Sequence, residues 1–272
     1  MPQSRVVRAA AGQKRARRAR MGSVRRWAGR AFGGLRAAPL AMRVVVGVIA
    51  IVVIWSSVNV TYQVLRKPTE LFFPVSGALG KTPPETWRRY GHLFRRHSTA
   101  IITPDLLGAL AQAESGGNPV ARTYWRWRLR WHPFELYRPA SSAVGMYQIT
   151  DATFQEARRY CIQNHVVAED SCWFNGLYTR VVPSHAVEMT AALLDRGVTT
   201  TVARHRLAGT TLRQQQDLAA LIHLCGAGAG DIYARRRFRL TPGQQCGDHD
   251  AGRYLAKVSA LKQQFLRLAA TE

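Results

Sequence analysis

The first 43 residues contain no Asp or Glu, and the next 22, Val44 to Leu65, carry no charge of either sign. Cysteine is absent until residue 161. No segment repeats, and the apolar/polar alternation that marks strands is scarce, which leaves a mainly α body as the expectation. Acidic residues are few throughout, 16 against 39 Lys and Arg, giving a net charge of +23 over 272 residues. Hydrophobic residues still make up 47% of the chain, enough for a packed core, so a wholly disordered chain is excluded.

The charge is uneven. Residues 1–43 hold 12 of the basic residues, and the other 229 positions carry a net +11. The uncharged run VVVGVIAIVVIWSSVNVTYQVL that follows is long enough, at ~1.5 Å per residue, to cross ~30 Å of hydrocarbon. We read it as one transmembrane helix. With a dozen cations before it and only Arg66-Lys67 directly after, the positive-inside rule places the N-terminus in the cytoplasm and the remaining body outside. A cleaved signal peptide, a mitochondrial presequence and nucleic-acid binding by the RARRAR run are competing readings of the head. A topological signal is the simplest, and no nucleic-acid partner is expected.

All four cysteines, Cys161, Cys172, Cys225 and Cys246, follow the apolar run. Their even number suits disulfides in an oxidising compartment such as a periplasm. Three pairings are possible; Cys161–Cys172 and Cys225–Cys246 close the short local loops and are favoured. A zinc set of His223, Cys225, Cys246 and His249 competes, but its spacing fits no known ligand pattern. No metal and no cofactor are expected.

Residues 66–84 contain Pro68, Pro74, Pro83 and Pro84 with Gly77 and Gly80, and read as a linker. Helical signals begin at Thr82-Pro83, where Trp87, Tyr90 and Phe94 share a face. Thr103-Pro104 opens a second helix that places Leu106, Leu107, Leu110 and Ala113 on one side and stops at Gly116-Gly117. Later helices are expected at about 151–160, 185–196, 212–225 and 250–269. The last carries a stripe of Tyr254, Val258, Leu261, Phe265 and Leu268. Only YWRWRLRW, residues 124–131, alternates with period two, tryptophans against arginines, as in a small β-hairpin. Packing on the body, sugar stacking and dipping into a membrane interface all remain open for it.

Glu114 stands four residues after Leu110 and seven after Leu107, within the apolar stripe of its helix. A carboxyl so placed is costly to desolvate as an anion, which favours the proton-donating acid form. The run Ala111-Gln112-Ala113-Glu114-Ser115-Gly116-Gly117-Asn118-Pro119 resembles the Glu-Ser motif of the soluble-lytic-transglycosylase (SLT) catalytic domain family. Ser142-Ala143-Val144-Gly145-Met146-Tyr147-Gln148-Ile149-Thr150 resembles that family's Gly-Leu-Met-Gln segment, and Gly252-Arg253-Tyr254-Leu255-Ala256-Lys257-Val258 its late Arg-x-Tyr helix.

The resemblance spans about residues 85–268. It implies a lysozyme-like helical domain over 85–272, with a small β-hairpin insertion, that cleaves the β-1,4 bond between N-acetylmuramic acid and N-acetylglucosamine in peptidoglycan. By carry-over, Glu114 is the single acid/base, Ser115 orients it or meets the sugar, Met146 and Gln148 line the cleft, and Tyr254 faces Glu114. For Ser115 a plain helix-terminal serine, and for Tyr254 a core tyrosine, are the plainer roles. The family's Ala-Tyr-Asn-x-Gly motif is matched only by Ile222-His223-Leu224-Cys225-Gly226, where the asparagine is missing and His223 stands for the tyrosine or serves as a core histidine. A hydrolytic muramidase with Asp151 or Glu135 as second acid, and a non-catalytic wall-binding component of a secretion or conjugation apparatus, are the alternatives. The implied location is the bacterial inner membrane, with a periplasmic catalytic domain.

Overall fold

The computed structural model describes residues 38–72, 76–129, 131–169 and 172–271. Most of the basic head, residues 1–37, lies outside them, as do Pro74 of the linker and Arg130 of the Trp/Arg run. The chain divides into two compact units, up to Tyr62 and from Gln63 onward.

In the first unit the described element is helix α1, Leu40–Arg66, whose last turn belongs to the second. It has 27 residues, and its most apolar 18-residue stretch has a mean hydropathy of 2.3, long and apolar enough by composition to cross a bilayer. Its side chains from Leu40 to Ile54 are exposed.

The second unit is mainly helical. Helix α2, Pro83–Arg96, starts with a capping box in which Glu85 Oε2 accepts the Thr82 amide at 2.8 Å. It buries Trp87, Tyr90 and Phe94. Helix α3, Pro104–Ser115, is buried from Asp105 to Ala111 and ends at Gly116, which adopts the left-handed conformation (φ 61°) of a helix stop. The strands β1 (Trp125–Trp127) and β2 (Tyr137–Pro139) pair antiparallel as the expected hairpin.

Helix α4, Asp151–Ala157, is shorter than expected, and α5, Pro183–Arg204, is longer. Two further small hairpins, β3–β4 (Cys161–Gln163 with Val166–Ala168) and β5–β6 (Gln245–Cys246 with His249–Asp250), had no recognisable alternation. Helices α6, Leu212–Cys225, and α8, Ala251–Ala269, match their expected spans. Fully buried Leu107, Leu110, Met189, Leu218, Leu221 and Phe265 join α3, α5, α6 and α8 in one core. Each such side chain contributes about 1.5–3 kcal/mol on burial.

Two expectations change. Between the helices expected at 212–225 and 250–269, where no element was expected, the chain forms helix α7, Ala227–Arg235. Glycine disfavours helices, but a Cβ at Gly230 would fall 2.5 Å from Ile222 Cγ1, so close packing on α6 requires the glycine there. The linker, residues 66–84, carries short 3₁₀ turns at Pro68–Phe72 and Gly77–Leu79 and is bonded to the body. Buried Glu70 accepts Arg122 Nη1 and Trp125 Nε1, each at 2.9 Å, and pairs with Lys67 Nζ at 3.2 Å. A buried carboxylate needs such partners, and they tie the segment down.

Candidate active site

Glu114 sits in the last turn of α3, with its side chain 17% exposed. The turn is pinned on three sides. Ser115 Oγ donates to the Met146 carbonyl at 2.8 Å, Lys257 Nζ donates to the Ala113 carbonyl at 2.8 Å, and the Lys81 amide donates to the Gly116 carbonyl at 2.8 Å. Tyr254, from the first turn of α8, donates its phenol to Glu114 Oε1 at 2.5 Å. Burial, then the Glu114 charge and the hydrogen bond, push that phenol far above its usual pKa, so Tyr254 stays a donor throughout the working range. His223 Nε2, from α6, lies 3.7 Å from the same oxygen and meets the Tyr147 ring edge-on at 6.4 Å. Among the described residues, Glu114 Oε2 makes no hydrogen bond.

The second motif forms the tight turn 144–149. Val144 and Ile149 exchange amide hydrogen bonds of 3.2 and 3.1 Å, and Arg180 Nη1 grips the carbonyls of Ser142 and Ile149 at 2.9 and 3.0 Å. Tyr147, fully buried, donates to the Leu107 carbonyl at 3.2 Å and so fastens the turn to α3. Met146 is also fully buried. Its side chain packs in the core instead of lining the cleft, and its carbonyl is what reaches the site. Gln148 is half-buried and holds the carbonyls of Gly145 and Ala121 at 3.0 and 3.3 Å.

Two cavities meet at Leu224. One, about 500 Å³, has Glu114 and Tyr254 on its wall with Asp248, His249, Arg253 and Lys257. The other, about 530 Å³, is lined by Gln148, His223, Thr190, Arg196 and Arg204 among others. The structure therefore brings Glu114, Ser115, Tyr254 and His223 together, with Gln148 on the adjoining cavity. Sequence reasoning missed Asp248 and Lys257. The favoured Cys225–Cys246 link was the available signal, because it ties the β5–β6 hairpin to the end of α6 beside His223.

Both cysteine pairs, Cys161–Cys172 and Cys225–Cys246, stand at disulfide distance, with Cα separations of 5.6 and 5.2 Å. Pairing of Cys225 with Cys246 takes up the two thiolates that the zinc alternative requires. Removing this link with Cys225→Ser and Cys246→Ser should cost about 3 kcal/mol, given a closed loop of some 20 residues. Denaturant unfolding measures that loss.

Residues 93–210 match the family model of the transglycosylase SLT domain, so this part of the chain is a lysozyme-like SLT domain. The SLT family is one of lytic transglycosylases, glycosidic-bond lyases of peptidoglycan. The matched segment contains Glu114, Ser115 and Gln148; His223 and Tyr254 lie beyond it. No curated protein and no solved structure matches the chain.

Proposed function

We propose that the chain is a membrane-anchored lytic transglycosylase that cuts the N-acetylmuramic acid–N-acetylglucosamine bond and leaves a 1,6-anhydro end. The observation that carries this reading is Glu114 at a cavity wall, with Oε1 engaged by Tyr254 and Oε2 left for substrate. In the protonated form Glu114 gives its proton to the glycosidic oxygen as the bond to the anomeric carbon breaks. As carboxylate it then takes the proton of the muramoyl 6-hydroxyl, whose oxygen closes the ring. Positive charge at the anomeric carbon is spread by the sugar's own acetamido group, a substrate-assisted departure from the two-carboxylate scheme.

Tyr254 supports the second half-step by fixing the carboxylate, and Ser115 fixes the helix end that carries it. Gln148 and His223 present polar groups to neighbouring sugar rings. Tyr254→Phe removes one hydrogen bond to a charged group, worth about 1.5–3 kcal/mol, so kcat should fall roughly 10- to 100-fold with the fold retained. Steady-state turnover of isolated glycan strands reads this directly.

α1 is taken as the anchor, its N-terminal side in the cytoplasm and the SLT domain in the periplasm, where disulfides persist. A net-basic body suits the anionic peptide stems of the wall. Confinement to the membrane surface limits lysis and fits local gap-opening for an envelope-spanning apparatus, for which co-purification is the check. The direct test of activity is release of soluble fragments from purified sacculi, present for the wild type and absent for Glu114→Gln.

A hydrolytic outcome on the same scaffold needs a second carboxylate near Glu114. Glu135 pairs with Arg66 at 3.2 Å and Asp151 with Arg180 at 2.8 Å, and neither lines the Glu114 cavity. Asp248 and Asp250 do; Asp250 Oδ1 is engaged by the Arg253 amide at 2.7 Å, which makes Asp248 the acid to test for that alternative.

A further inference from the structure

The β1–β2 hairpin is unused by the chemistry above, since neither cavity beside Glu114 includes any of its residues. Its base is packed. Trp125 and Trp127 lie against Tyr137 at ring separations of 5.2 and 4.8 Å, and Trp125 is bonded to Glu70. Toward the tip exposure rises: Trp127, although it touches Tyr137, is 67% exposed, and Leu129 and Trp131 are 100% and 104% exposed. Clustered exposed apolar side chains are unfavourable in water and mark a contact surface. Tryptophan in particular settles at the headgroup level of bilayers.

Charge sharpens the choice of partner. Arg126 and Arg138 stand directly opposite each other across the two strands; Glu135, 3.9 Å from Arg138, is the one acid among residues 125–139 against four arginines, so the hairpin keeps an excess of positive charge that an anionic surface offsets. Position does the same. The hairpin is bonded to the last turn of α1, Gln63 Nε2 to the Phe134 carbonyl at 2.6 Å and Arg66 to Glu135 at 3.2 Å, and the segment just after β2 is held by Lys67 through the carbonyls of Ser141 and Ala143 at 3.2 and 3.1 Å. It is therefore fastened where the chain leaves its apolar run at Leu65.

We infer that this hairpin is a second membrane contact, Trp127, Leu129 and Trp131 entering the interfacial layer of a bilayer with anionic headgroups and Arg126 and Arg138 meeting the phosphates. Besides adding affinity, a second contact restricts rotation of the SLT domain about its anchor, so that the domain meets glycan strands in a limited set of orientations. The inference rests on α1 being an anchor, and the test separates the two.

The full chain is reconstituted into vesicles of mixed phosphatidylcholine and phosphatidylglycerol, brominated at either a shallow or a deep acyl position, and tryptophan quenching is compared between the wild type and Trp127→Phe/Trp131→Phe. Trp55, inside the apolar run, reports the anchor. The expected result is strong quenching by the shallow bromine that the double variant largely loses, with quenching by the deep bromine unchanged. Equal shallow quenching in both proteins overturns the inference while leaving the anchor in place. No quenching in either protein, with both recovered away from vesicles, overturns anchor and hairpin contact together. An emission shift of Trp127 and Trp131 on adding soluble glycan fragments, without lipid quenching, makes the tip a sugar platform and also overturns it.

Discussion

Glu114→Gln should lower the release of soluble fragments from sacculi by about 10⁴-fold, the upper end of what one general acid/base contributes, because a single carboxyl serves both half-steps. The amide keeps an oxygen for Tyr254 and the volume of the original side chain. It has no acidic proton to give and no basic oxygen to receive one. Thermal unfolding should therefore be nearly unchanged while turnover vanishes, a separation that marks chemistry and not folding. Retention of turnover in this variant would move the reaction to another group, with Asp248 first in line because Asp250, the further acid on that cavity, caps α8 through the Arg253 amide.

Gly145→Ala should have the largest effect on stability, about 4 kcal/mol. Gly145 has φ 81°, which costs an L-residue about 1–2 kcal/mol, and a Cβ there would overlap the Arg180 carbonyl oxygen and come within 3.1 Å of the Pro119 carbonyl. Overpacking against fixed backbone adds about 1–3 kcal/mol. Relief requires the 144–149 turn to move away from the 180 segment. That movement would pull the Met146 carbonyl from Ser115, so turnover should fall together with Tm, unlike the pattern for Glu114→Gln. A Gly145→Ala protein that melts like the wild type would show that the turn is not held as described.

The parts of the fold legible beforehand are those whose signals are local. Thr82-Pro83 and Thr103-Pro104 mark helix starts through cap chemistry, Gly116 marks a stop through its left-handed backbone, and the α8 stripe follows from 3.6-residue periodicity. What was missed depends on contacts distant in sequence. Helix α7 carries two glycines in its first turn, which disfavour a helix, and is held because Gly230 lets it lie tightly on α6. The linker is held because Glu70 finds Arg122 and Trp125 more than fifty residues away.

The site divides along the same line. Glu114, Ser115 and Tyr254 come from motifs and meet as expected, whereas Met146 belongs to a motif but turns inward, since its neighbours Val144 and Tyr147 are buried on the same turn. Asp248 stood in no motif, and Lys257 lay inside the Arg-x-Tyr run without a role of its own. They reach it because Cys246 is joined to Cys225 and because α8 runs along α3.

The most direct test of a single carboxyl acting without water as nucleophile is mass spectrometry of the sugars released from purified sacculi by the intact protein. The account predicts muramic acid ends that are one water lighter than a free reducing end, as a 1,6-anhydro ring requires. Released fragments carrying ordinary reducing ends would contradict it and make the protein a hydrolase.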